Sequence, residues 1–173
     1  MSARLPPARL DALWTVDVGD FPTALTWRPD GSHRIGGAAS GEWCRVAAAD
    51  GARRAIGQHE IGVLAVAVRG DGARVASGGQ DGAIAEWSLP DGALLHRSSP
   101  GKAWVEQLAY QPGGKLLASA AGKRVELWSE AGERLHAFEE HGGVVAAIAW
   151  NGGKRLGAAA FGGLWQHAIA AGA

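Results

Sequence analysis

Residues 63–88 read VLAVAVRGDGARVASGGQDGAIAEWS, and the punctuation of that stretch decides the fold. An alternating run at 64–68 meets the turn Arg69-Gly70-Asp71-Gly72 and resumes at 74–77. Gly78-Gly79-Gln80-Asp81-Gly82 then reverses the chain into 84–87, and Pro90-Asp91-Gly92 leads to a last run at 94–97. Asp, Gly and Pro each supply backbone geometry that a reversal needs. The segments are short and alternating, with no 3.6-residue apolar stripe long enough for a helix. The stretch predicts four short strands in one antiparallel meander.

The same punctuation recurs along the chain. Asp30-Gly31, Asp71-Gly72, Gly113-Gly114 and Gly152-Gly153 lie 41, 42 and 39 residues apart. A second series, Asp50-Gly51, Asp91-Gly92, Ala131-Gly132 and Ala171-Gly172, recurs at 41, 40 and 40. Two turn series sharing one period make the chain a tandem array of about four units. The five residues before each first turn repeat in register as well. Their third column is Leu25, Val66, Leu108 and Ile148; their fourth is Thr26, Ala67, Ala109 and Ala149. Side chains alternate faces along a strand, so one face is bulky and the other nearly bare. A bare face allows close approach of a neighbouring sheet, as in sheets stacked on both sides.

Composition narrows the function. Seventeen Lys+Arg balance seventeen Asp+Glu, which argues against a nucleic-acid partner held by bulk electrostatics. Hydrophobic residues at 47% and charged residues at 20% are values of a globular chain. The one cysteine, Cys44, has no internal disulfide partner. No apolar run approaches the ~20 residues of a membrane span, and the start lacks the apolar core of a signal peptide. A cytoplasmic protein with no membrane association is the expectation.

These residues resemble the WD40-repeat family of β-propellers. VLAVAVRGDGARVASGGQDGAIAEWS carries most of the family's repeat pattern, VEQLAYQPGGKLLASAAGKRVELWS (105–129) a weaker version, and the first and fourth units less still. The resemblance implies an all-β propeller of four-stranded antiparallel blades, with an incomplete or open ring of about four repeats. It also implies a structural tetrad of loop His, Ser/Thr, turn Asp and Trp in each blade. By position, unit 2 offers His59, Ser77, Asp81 and Trp87. Unit 3 keeps Ser119 and Trp128 but has Gly122 or Lys123 at the Asp position and Gly101 near the His position. Unit 4 keeps His141 and has His167 at the Trp position; unit 1 has Val46 there, so Trp43 is not the repeat Trp. No Trp-Asp dipeptide occurs. Only blade 2 is expected to own a full network.

Blade counting adds an offset. Residues 1–12 are a lead, and 13–173 the array: blade 1 at about 22–57, blade 2 at about 62–98, blade 3 at about 103–138 and blade 4 at about 144–170. Residues 13–18 match the fourth strand of other units, whereas blade 4 lacks its outer strand. An N-terminal strand completing the last blade is how a ring removes its sheet edges. Three arrangements follow: the N-terminal half of a longer propeller, a half-ring that dimerises, or a strained four-bladed ring. An open array exposes an apolar blade face at each end, so self-association is expected.

The six histidines form no HExxH or paired pattern, so no metal is expected. The Gly-rich strings lack the Gly-Lys-Ser/Thr ending of a phosphate loop, and no cofactor is expected. No nucleophile stands with a base at catalytic spacing, which disfavours an enzyme; a propeller hydrolase is the minor alternative. The resemblance implies a face built from the loops before each first strand, so Phe21, Glu60, Lys102, Trp104 and Glu106 are candidate contacts with another protein. Trp104 is a large aromatic where other units have Pro22, Gly62 and Gly143, either an exposed anchor or packing between blades. A non-catalytic protein-interaction scaffold is therefore the expected function. The alternative is a fragment that works only when completed by another chain or by self-association.

Overall fold

Each repeat closes into its own sheet because turn residues return the chain before it can pair elsewhere. The computed structural model describes residues 11–169. Blade 1 holds β1 (Pro22–Trp27), β2 (His33–Ala38), β3 (Glu42–Ala47) and β4 (Arg53–Gln58). Blade 2 holds β5 (Val63–Val68), β6 (Arg74–Gly79), β7 (Ile84–Ser88) and β8 (Leu94–Ser98). Blade 3 holds β9 (Val105–Tyr110), β10 (Leu117–Ala121), β11 (Arg124–Trp128) and β12 (Arg134–Ala137). Blade 4 holds β13 (Val145–Asn151), β14 (Arg155–Ala160) and β15 (Gly163–Ala168). Every neighbouring pair is antiparallel and in chain order. The fold is an all-β propeller array, and its sheets do not close into a ring.

The turns work through a repeated device. Asp71 Oδ1 accepts the Ala73 amide at 2.9 Å, and Asp91 Oδ1 accepts that of Ala93 at 3.2 Å. Gly72 and Gly92 then take φ of 70° and 79°, a region in which a Cβ is strained. Asp30 and Asp50 repeat the bond in blade 1.

The core lies between blades, not within one. Ile35 and Trp43 of blade 1 pack against Val63, Val75, Ala85 and Trp87 of blade 2. Ala76 and Ile84 of blade 2 meet Val105, Leu117 and Trp128 of blade 3. Val125 and Leu127 of blade 3 meet Val145, Leu156 and Ala158 of blade 4. Glycines of the second strands permit this stacking. A Cβ built on Gly37 would lie 2.5 Å from Val63 Cγ1, and one on Gly78 2.5 Å from Val105 Cγ1.

One sequence expectation is corrected. Residues 13–18 form no strand and pair with no sheet. They cross the free face of blade 1 instead, where Trp14 Nε1 donates to Ala48 O at 3.0 Å. The β15 edge that they were expected to complete lies at the other end of the open array. The chain therefore offers 13–18 nothing to pair with.

Candidate functional site

The four residues singled out in blade 2 meet. Trp87 Nε1 donates to Ser77 Oγ at 3.0 Å, and Ser77 Oγ lies 2.9 Å from His59 Nε2. His59 Nδ1 lies 3.0 Å from both carboxylate oxygens of Asp81. One consistent arrangement passes hydrogens from indole to hydroxyl to imidazole to carboxylate, so each buried polar atom has a partner. Burial pushes the Asp81 carboxyl up, but bonds from His59 and from the Ala83 and Glu60 amides outweigh it, and its pKa falls below the ordinary value. Arg97, which sequence reasoning missed, adds an ion pair to the same carboxylate. The network locks the loop before β5 to the β6–β7 turn.

Blade 3 keeps only half of this, a 2.8 Å bond from Trp128 Nε1 to Ser119 Oγ. In blade 4, His141 is buried and its Nδ1 bonds to Lys123 O at 3.0 Å. Its ring stands edge-on to Trp165 at 4.8 Å rather than in a tetrad. His167, at the Trp position, stacks on Phe138 at 4.0 Å. Burial, then the His141 and His136 charges, lower the His167 pKa. Protonation therefore opposes folding. The contribution of His167 is intact above the unfolded value near 6.5 and is lost as pH falls through its lower folded value. We expect the melting temperature to fall between pH 7.5 and 5.5, and His167→Leu to reduce that fall, with His33, whose pKa burial also lowers, keeping the remainder. Asp81 does not confound this window, because its depressed pKa withdraws stability only below the ordinary carboxylate range. Parallel melts at both pH values check the expectation.

The loops before β1, β5, β9 and β13 all open at one end of the array, since these strands begin each blade. There Phe21, Ile61, Trp104 and Val144 stand exposed, with Phe161 from the β14–β15 turn beside them. Trp104 is 53% exposed, so it is not packed between blades. Beside it a cleft of about 250 Å³ is lined by Lys102, Lys123, Arg124, Glu126 and Glu140, among others. Arg124 and Glu140 pair at 3.1 Å. Glu60 is exposed, and its amide is tied to Asp81 at 3.2 Å, which joins the rim to the tetrad. Lys102 lines the cleft; Glu106 lies half-buried on β9, off the loop tips. Val144 and Phe161 were missed from sequence, although Val144 directly precedes a first strand.

Two buried carboxylates also escaped notice. Glu86 pairs with Arg74 at 3.3 Å across β6 and β7, and Glu126 with Arg134 at 3.1 Å across β11 and β12. Burial raises the Glu126 pKa against the pull of Arg134. At the opposite end from the rim, Glu130 receives Lys115, Arg69 and Arg74 and is driven down to about 2. That cluster ties blade 2 to blade 3. Among the described residues, no group of three or more His, Cys, Asp or Glu side chains is placed to hold a metal ion.

Comparison with known proteins agrees with this geometry. Residues 53–88 match the family model "WD domain, G-beta repeat". Over 70 residues the chain is 37% identical to small ribosomal subunit protein RACK1y of Oryza sativa subsp. japonica, covering 40% of this chain and 20% of that protein. Over 76 residues it is 33% identical to small ribosomal subunit protein RACK1 of Glycine max, covering 44% and 23%. The match thus spans only about a fifth of the length of these curated relatives. Among solved structures, that of U3-55K superposes with TM-score 0.84 at 22% identity, over 89% of this chain and 50% of that one. The computationally designed Ika4 protein superposes with TM-score 0.79 at 21% identity, over 89% and 94%. Residues 53–88 thus carry a WD40 repeat, with its hydrogen-bonded network in blade 2, and the chain as a whole has the fold of a β-propeller array.

Proposed function

We propose that this chain is a non-catalytic protein-interaction module of the cytoplasm, binding a protein partner through the loop rim of Phe21, Ile61, Glu60, Lys102 and Trp104. The observation that carries the reading is the exposed Trp104 beside a mixed-charge cleft, on a rim held by the His59–Asp81 network. Binding on such a rim costs little ordering, because the blades already fix the spacing of the loops. An exposed aromatic next to charges of both signs has the chemistry of an interface anchor. The matched relatives are small ribosomal subunit proteins by name, which supports a place in an assembly rather than in a reaction. A second reading is that the module works only when completed by another chain or by self-association. The free faces of blades 1 and 4 favour it.

Trp104→Ala tests the first reading. A hot-spot loss of about 2 kcal/mol corresponds to roughly thirty-fold weaker capture of the bound protein. The melting temperature should stay within about 2 °C, as for a surface change. Unchanged capture, or a large fall in melting with no separate binding defect, would place Trp104 in a structural role.

A further inference from the structure

The two ends of the array are the two halves of one more blade junction. At the first two internal junctions, an outer-strand side chain of one blade lies on a turn glycine of the next. A Cβ on Gly92 would lie 3.1 Å from Ile56 of β4, and one on Gly132 would meet the His96 ring of β8. Gly51 is the blade 1 member of that turn series, and a Cβ there would lie 3.1 Å from Trp14. Trp14 thus stands in the place of an outer-strand residue of a blade preceding blade 1. The segment is held there firmly. The Arg34 guanidinium lies 4.3 Å from the Trp14 ring and 4.1 Å from the Trp27 ring, and Arg53 reaches Val18 O at 3.4 Å. Between this segment and the sheet remains a groove of about 250 Å³, lined by Val16, Val18, Leu25, Gly36 and Cys44 among others. The other strands of a preceding blade would fill it.

The opposite end supplies those strands. Gly37, Gly78 and Ala120 are paired in register with Trp43, Ile84 and Val125, the residues that each blade drives into the next. All three are fully buried. Their counterpart is Leu164, paired with Ala159 on β14, and it is 86% exposed. Across the other face, Leu25 is 69% exposed, whereas its repeat equivalents Val66, Leu108 and Ile148 are half-buried. Among the described residues, blade 4 has three strands and a free β15 edge, while 13–18 sits in outer-strand position with no sheet to join.

We propose that a second copy of this chain completes the propeller. The free face of blade 4 in one copy docks on the free face of blade 1 in the other, Leu164 enters the groove under Trp14 and Val16, and 13–18 adds to the β15 edge as the fourth strand. This rests on the second reading above, and is independent of what the rim binds. A head-to-tail junction of this kind makes a ring only if its rotation closes. Two copies of four blades make one ring of eight with two identical junctions. Eight blades lie at the upper end of the common range for propellers.

Light scattering on the full chain tests this. The expected mass is twice 17.8 kDa, constant with concentration above a micromolar threshold. Leu164→Arg blocks one face and Leu25→Arg the other; both side chains are exposed in the single chain, so each variant should fold and run at 17.8 kDa. Mixing the two leaves one intact junction, from the Leu25→Arg copy's blade 4 to the Leu164→Arg copy's blade 1, and should restore a two-chain species. A wild-type monomer overturns the proposal. So does an open series of higher oligomers, or a mixture that stays monomeric while both variants show wild-type circular dichroism. None of these outcomes touches the Trp104 binding test, so the two ideas fail separately.

Discussion

Trp87→Ala is expected to remove about 3–5 kcal/mol of folding stability, the range for truncating a buried aromatic. The residue serves two purposes at once. Its ring fills the space between blades 1 and 2, edge-on to Trp43 at 5.5 Å, within the cluster of Ile35, Val63, Val75 and Leu89. Its indole N–H is the first donor of the Ser77–His59–Asp81 chain. Truncation leaves both a cavity and a hydroxyl that has lost one partner. At about 2–4 °C per kcal/mol for a chain of this size, melting should fall by roughly 6–20 °C. Trp87→Phe keeps most of the packing and loses the donor, so it should cost about 1–3 kcal/mol, the cost of an unsatisfied buried group. Ser77→Ala should cost more than Ser119→Ala, because Ser77 joins an indole to an imidazole whereas Ser119 receives Trp128 without a His–Asp extension. Thermal and denaturant unfolding of the four variants decide the matter. A Trp87→Ala protein within 1 kcal/mol of wild type would deny the tetrad its role.

Gly78→Val should also destabilise the fold, for the opposite reason. A Cβ at Gly78 would sit 2.5 Å from Val105 Cγ1 and 3.0 Å from the Val105 carbonyl oxygen. The carbonyl belongs to β9 and has no room to yield, so blades 2 and 3 must part. Overpacking of this kind costs about 1–3 kcal/mol. The gain from a β-branched residue in a strand, at most about 1 kcal/mol, does not offset it. Gly70→Ala is the control: nothing lies within 4 Å of its Cβ position, and unfolding should shift by less than about 0.5 kcal/mol. Val105→Ala in the Gly78→Val background should recover part of the loss, since it removes the nearer clash. Two equal losses at Gly70 and Gly78 would mean that blade spacing is not what the glycine protects.

How much of this was legible depends on the range of the interaction that decides each feature. His59, Ser77, Asp81 and Trp87 could be picked out because the second repeat resembles the WD40 pattern, which implies a tetrad at those positions. Trp104 stood out as a large side chain in a loop column otherwise small. Glu86 and Glu126 did not stand out, because a carboxylate on a strand reads as a solvent-facing position. Only Arg74 and Arg134, brought alongside by strand pairing, give them a place inside. Val144 reads as the first apolar residue of blade 4, but β13 begins just after it, at Val145, and leaves it exposed on the rim.

The sequence by itself determined the period, the strands and their antiparallel order, and the members of the blade 2 tetrad are implied by its resemblance to the WD40 repeat. The period, the strands and their order follow from alternation and turn chemistry within about forty residues, the span of one repeat. Only the tertiary structure decided that Leu164 and Leu25 are exposed while their repeat equivalents are covered, and that residues 13–18 lie on blade 1 without a sheet. Whether an apolar face is covered depends on which blade stands next to it. Identical local patterns carry no record of that neighbour, and in this chain the end blades have one fewer than the rest.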